Sequence, residues 1–241
     1  MPYALWLLAC SASQPAVIGL VIAIIALTVP FVIEILKRPR LEVVPVTWRP
    51  HRAFPFTFAS VRVRNKPLPR LLGMLLSREV AQACEIFIDY YKWEHPDVRL
   101  FDSIQGRWDS HPQPERVVRV SRDAEEEGVA DPGNPDTGVY EERTEFAPSL
   151  DPSNQEDIVP GSDRGQVSVA ILTANAGAFA FANESYAHGP LLGNPAWKLP
   201  MGTYRIVVRI RASNVNREYR SAFRLEYLSD DFAKFQLKAS S

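Results

Sequence analysis

Cysteine is scarce. Cys10 and Cys84 are the only two in 241 residues. Thiols so far apart make no disulfide framework, and no C-x-x-C spacing offers a zinc site. The four histidines, His51, His95, His111 and His188, show no ligand spacing either. There is no P-loop, no G-x-S-x-G and no H-E-x-x-H. No catalytic residue, metal or cofactor is therefore assigned, and the expected role is non-enzymatic. The net charge of −1 excludes the bulk basicity of a nucleic-acid binder. Bases are also missing locally: no Lys or Arg precedes residue 37. That removes the charged start of a secretory signal peptide.

The base-free region holds a long apolar run. Residues 16–36 read AVIGLVIAIIALTVPFVIEIL, with Glu34 as the single charge and 14 of 21 residues Val, Ile, Leu or Phe. A helix of this length covers about 31 Å, close to the ~30 Å hydrocarbon thickness of a bilayer. The expected organisation is a short tail over 1–15, a transmembrane helix over 16–36, and one folded domain over 37–241. Lys37, Arg38, Arg40, Arg49 and Arg52 come directly after the run. The positive-inside rule then places the folded domain in the cytoplasm of a single-pass protein of the cell membrane.

From Leu41 onward the apolar period shortens to two. In YRIVVRIR, Tyr204, Ile206, Val208 and Ile210 alternate with Arg205, Arg209 and Arg211. In YRSAFRLEY, Phe223, Leu225 and Tyr227 alternate with Arg220, Arg224 and Glu226. Other strands are expected over 41–48, 56–64, 80–93, 116–120, 167–173, 178–181 and 232–237. Many short strands with Pro and Gly between them predict a mainly β, antiparallel sandwich. The stretch over about 121–165 breaks the pattern. Between Asp123 and Asp163 it carries 13 acids against Arg143 alone. It is too charged to bury and too long for an ordinary connection, so a disordered insertion is expected, with an ordered binding loop as the lesser alternative. Its DPGNPDTG (Asp131–Gly138) misses the spacing of a calcium loop.

LPMGTYRIVV sets a turn, a Gly and then Tyr204 at the head of a late strand. It resembles the tyrosine corner of immunoglobulin-like sandwiches, in their disulfide-free, fibronectin type III-like form. RPRLEV after the apolar run, VRVRN, Ala81-x-x-Cys84 and GRW together resemble a group of uncharacterised prokaryotic single-pass membrane proteins with such a domain. The resemblance implies a fold and a placement and carries no activity.

Two surfaces are candidates for function. In KPLPRLLGMLLSR, Leu71, Leu72, Met74, Leu75 and Leu76 lie between Lys66, Arg70 and Arg78. Such a segment either dips into the membrane interface or plugs the sandwich core; the plug is the plainer expectation. Arg205, Arg209, Arg211, Arg220 and Arg224 share one face if their two strands pair. Glu85 and Asp89 are expected beside them. Cross-strand ion pairs are the plainer account, a docking face for an anionic partner the functional one. The expected role is a membrane-tethered binding or scaffolding module, with the lipid bilayer and an unidentified protein as partners. An extracytoplasmic adhesion or envelope domain, or an enzyme with an unrecognised site, are the alternatives.

Overall fold

The computed structural model describes residues 3–46, 56–111, 116–122, 140–146, 154–163, 165–174, 176–188 and 192–240, with backbone alone for 3–17, 116–122, 140–146 and 187–188. The chain opens with helix α1 (Tyr3–Lys37). It starts well before residue 16, so the expected tail belongs to the same helix. The helix carries Pro15 and Pro30 within it, and membrane helices tolerate such interruptions. Over Ile18–Lys37 it is long and apolar enough to cross a membrane, and none of that stretch is buried by the rest of the protein. The hydroxyl of Thr28, in the middle of this stretch, donates back to the Ile24 carbonyl at 2.8 Å. The helix thus satisfies that polar group itself, with no need of water.

The domain beyond the helix is antiparallel throughout its sheets. Its strands are β1 (Leu41–Val46), β2 (Phe56–Asn65), β3 (Ala81–Lys92), β4 (His95–Arg99), β5 (Ile104–Gln105), β6 (Arg116–Arg122), β7 (Tyr140–Phe146), β8 (Glu156–Ile158), β9 (Gly165–Thr173), β10 (Gly177–Ala180), β11 (Lys198–Leu199), β12 (Gly202–Arg211), β13 (Tyr219–Tyr227) and β14 (Gln236–Ala239). A single-turn helix, α2 (Arg70–Gly73), lies between β2 and β3. One sheet has the order β1-β2-β9-β10-β11. The other runs β14-β13-β12-β3-β4, with β5 and β8 also pairing with β3. Strands β6 and β7 form a separate pair.

Burial follows the alternation read from the sequence. Tyr204, Ile206, Val208 and Ile210 of β12 and Phe223, Leu225 and Tyr227 of β13 face a single core with Val61, Val63, Val167 and Val169 of the opposite sheet. Strand β9 is instead buried almost end to end, because both its faces are covered. Its Ile171 packs on the outer side with Phe179 and Phe181. Gly165 opens β9 where a Cβ would stand 2.8 Å from the Val63 carbonyl oxygen, a distance no larger residue could accept.

Trp108 is wholly buried. Its indole N–H donates to the carbonyls of Cys84 at 3.1 Å and Asn154 at 2.9 Å. Cys84 lies in the same core, and burial pushes its thiol pKa up to about 12. Such a thiol is inert at physiological pH. Tyr90 is likewise buried, its hydroxyl donating to the Val169 carbonyl of the facing sheet.

Several expectations need correction. The stretch over 232–237 is not one strand: Asp231 caps a single 3-10 turn, Phe232–Lys234, and only then does β14 begin. Within 121–165, β7 and β8 stand where no strand is expected, since EDI and YEERTEF are too charged to show an apolar period. The acidic residues at 123–139 and 147–153, DPGNPDTG among them, and the expected end of the first strand at 47–48 lie outside the described residues.

The Tyr204 hydroxyl donates to the Pro200 carbonyl four residues upstream, closing the turn before β12. Tyr204→Phe keeps the ring in the core and deletes that bond. The expected loss is about 1 kcal/mol in a denaturant melt; an unchanged midpoint would show the corner contributes nothing.

Candidate functional site

The most distinctive geometry lies where α1 meets the domain. Four consecutive carbonyls at the helix exit are each taken by a donor of the β domain. Lys37 accepts from the Glu79 backbone N–H at 2.7 Å, and Arg38 from Arg78 Nη1 at 2.9 Å. Pro39 accepts from the Tyr219 hydroxyl at 2.6 Å, and Arg40 from the Lys66 N–H at 2.9 Å. Lys37 is the last helix residue, whose carbonyl has no intrahelical partner; the other three belong to the strap that leads to β1.

Asn65 completes the joint. It is fully buried, at the end of β2. Its Oδ1 accepts from the Arg40 N–H at 3.1 Å, while its Nδ2 donates to the carbonyls of Glu79 at 2.8 Å and Ile158 at 3.2 Å. One side chain therefore ties the helix exit, the segment after α2 and β8 together.

The leucine-rich segment hangs from this joint by both its ends. Leu71, Met74 and Leu75 are more than four-fifths exposed, Leu72 is 38% exposed, and Leu76 is half-buried. The plug expected inside the sandwich is thus overturned. Leu68 is the residue of this stretch that enters the fold, at 8% exposure. The turn Arg70–Gly73 buries none of its residues.

Arg205, Arg209, Arg211, Arg220 and Arg224 do lie on one face of β12 and β13, in keeping with the alternation. Register sets Arg205 opposite Arg224 and Arg209 opposite Arg220. Like charges so placed destabilise a sheet unless carboxylates intervene, and they do. Arg209 Nε reaches Asp89 Oδ2 at 2.7 Å, and its Nη2 donates to Ser103 Oγ at 2.7 Å. Asp89 is almost fully buried and also meets Arg99 at 3.5 Å. Glu218 takes Arg211 at 2.9 Å and Arg220 at 2.7 Å. Arg224 pairs with Glu226 at 3.1 Å and stacks over Trp93 at 5.1 Å. Glu85 is engaged elsewhere, accepting from Gln155 Nε2 at 2.9 Å. Among the described residues Arg205 makes no ion pair; it lines a groove of about 460 Å³ with Tyr91, Arg99 and Arg220. The face is mainly a salt-bridge ladder with one arginine left open.

A polar cluster that the sequence did not foreshadow surrounds Trp108. Ser110 Oγ donates to Glu156 Oε2 at 2.9 Å, and His111 Nε2 lies 3.4 Å from the same oxygen. Asp109 accepts from Gln166 and Ser168. Burial raises its carboxyl pKa, against the lowering effect of those bonds. The hydroxyl of Ser110 thus rests on a carboxylate rather than on the imidazole. Among the described residues no group of His, Cys, Asp and Glu could hold a metal ion.

No family model matches the chain. No curated protein and no solved structure matches it either.

This geometry makes two substitutions informative. Asn65→Ala would remove the bonds to the Arg40 N–H, the Glu79 carbonyl and the buried Ile158 carbonyl. The expected loss is roughly 2–4 kcal/mol in thermal melts of the detergent-solubilised chain; a change under ~0.5 kcal/mol would show the joint is not structural. Desolvation raises the Glu218 carboxyl pKa, but hydrogen bonds from Arg211 and Arg220 and the charge of Arg209 outweigh it and hold it below the usual range. A depressed folded pKa gives stability that is present above the unfolded value and lost as pH falls through the folded one. Glu218→Gln is therefore expected to flatten the acid limb of stability below about pH 5; a limb parallel to the parent's would refute the pairing.

Proposed function

We propose that the chain is a single-pass membrane protein whose β domain, an immunoglobulin-like sandwich, rests against the cytoplasmic face as a binding or scaffolding module. The observation that carries this reading is the position of the leucine-rich segment. Its two ends are bonded to Arg40 and Lys37, so the loop that carries the exposed Leu71, Met74 and Leu75 is tethered at the end of the domain where the apolar helix leaves. Exposed apolar side chains at that place suit the interface between headgroups and acyl chains. Arg70, beside them on the same turn, is exposed and fits the headgroup layer.

The immunoglobulin-like reading draws support from two features. Strands β1-β2-β9 stand against β13-β12-β3-β4, and Tyr204 closes a corner at the head of β12. The cytoplasmic side draws support from Lys37, Arg38 and Arg40 at the helix exit. The protein partner is unidentified; the groove around Arg205 favours an acidic one. The extracytoplasmic alternative is decided by side alone.

Both parts are testable on the full chain. A nitrobenzoxadiazole probe at Leu75→Cys, in a Cys10→Ser background, should show blue-shifted emission in lipid nanodiscs and quenching by spin-labelled lipid. The same probe at the exposed Glu184 should show neither. Water-like emission at Leu75 would overturn interface contact. In the same Cys10→Ser background, a membrane-impermeant maleimide should label Ser240→Cys only after cells are broken; labelling of intact cells would move the domain to the outside.

A further inference from the structure

We infer that the cleft between the last turn of α1 and the β12–β13 turn binds the phosphate of an anionic phospholipid headgroup. The cleft has a volume of about 680 Å³, inside the roughly 300–1,000 Å³ range of ligand sites. Four arginines line it: Arg38, Arg40, Arg78 and Arg217. They face two carboxylates, Glu34 and Glu79, both exposed.

The state of these arginines is what separates them from the others. On the sheet, Arg209, Arg211, Arg220 and Arg224 each have a carboxylate within 3.1 Å. Among the described residues the four in the cleft form no ion pair. Nε of Arg78 is shut off from solvent and has no hydrogen-bond acceptor. Burial, and then the nearby Arg40 charge, push the Arg78 guanidinium below its ordinary pKa. Unpaired like charges gathered in a cleft are unfavourable until an anion enters. Guanidinium forks match phosphate oxygens two at a time, which a lysine cannot do.

The cleft is also furnished at fixed places. Arg217 lies over the Tyr219 ring at 4.6 Å, and the Tyr219 hydroxyl is bonded to Pro39 in the exit strap. Arg78 is bonded to Arg38 in the same strap. Glu34, Ile35 and Leu36 of the last helical turns form the other wall, so the cleft opens where the apolar span gives way to charge. A phosphate at that depth is a lipid's before it is a solute's. The inference rests on the membrane reading of α1.

The test uses the full chain in neutral detergent, doped with phosphatidylglycerol or phosphatidylcholine and examined by native mass spectrometry. The variant is Arg40→Gln with Arg217→Gln: the Arg40 side chain makes no bond to the exit strap, and Arg217 reaches it only through a long 3.4 Å bond to the Tyr219 hydroxyl, whose own bond to Pro39 the variant keeps. The parent should retain phosphatidylglycerol in preference to phosphatidylcholine. The double variant should retain it roughly 30-fold less, at about fivefold per arginine, with an unchanged melting temperature. Equal retention by parent and variant overturns the inference. Full displacement of the lipid by millimolar inorganic phosphate assigns the site to free phosphate and overturns the lipid source. Alkaline washing of the starting membranes separates the two levels. Recovery in the supernatant sinks the membrane reading itself, whereas retention in the pellet without headgroup preference sinks the cleft alone.

Discussion

The rest of the structure depends on the capture of four successive carbonyls, from Lys37 to Arg40, by the β domain. A helix that ends at a membrane surface can leave these groups to water, and the domain beyond it then swings on a flexible tether. Here the donors come from residues 66, 78 and 79 between β2 and β3 and from Tyr219 on β13, so the domain is held from two sides. Asn65 locks the arrangement from below, in a place water does not reach. Such a joint turns the direction of the helix into the orientation of the sandwich. The leucine-rich segment and the arginine cleft occupy defined positions because of it, rather than by chance of linker motion.

The arginines divide into two populations with different energetics. Those on β12 and β13 sit in like-charged register pairs, made tolerable by Asp89, Glu218 and Glu226. Arg209 is largely buried, at 15% exposure, and so are both carboxylates it meets, Asp89 at 3% and Glu218 at 16%. Removing either partner of such a pair strands a desolvated charge, a cost of about 3–5 kcal/mol, so Arg209 is a structural residue. The outer pairs are exposed and contribute less than about 1 kcal/mol each. At the helix exit Glu34 and Glu79 stand in the same cleft as four arginines but, among the described residues, pair with none of them, so the same residue type is left open. What a surface arginine does is decided by its nearest carboxylate more than by its own exposure.

Much of this fold was legible because period-two alternation survives wherever one strand face meets water. YRIVVRIR and YRSAFRLEY showed their buried sets directly, and Tyr204 marked its own turn. The strands that escaped notice are short or charged, such as KL at β11 and EDI at β8; their pairing is imposed by neighbours, not by pattern. The arginine face was legible for the same reason as the strands. The cleft was not, because its walls come from residues 34–40, 78–79 and 214–219, joined by a bond spanning 180 positions. No spacing rule connects groups that only the fold brings together. The leucine-rich segment misled in the opposite way: hydrophobicity implied burial, and the domain leaves Leu71, Met74 and Leu75 exposed.

That last point decides which surface governs how the domain sits. Leu71, Met74 and Leu75 are each more than four-fifths exposed. Removing such side chains from water is worth about 1.5–3 kcal/mol apiece. Half of that, for an interface that desolvates them only partly, still sums to several kcal/mol across the three. The outer ion pairs of the arginine ladder are individually weaker and are screened by salt. The joint at Lys37–Arg40 directs this apolar edge to the end of the domain from which the helix departs. On the proposed membrane placement, the leucines and the helix act in the same direction, and Arg205, which makes no ion pair among the described residues, stays open in its groove.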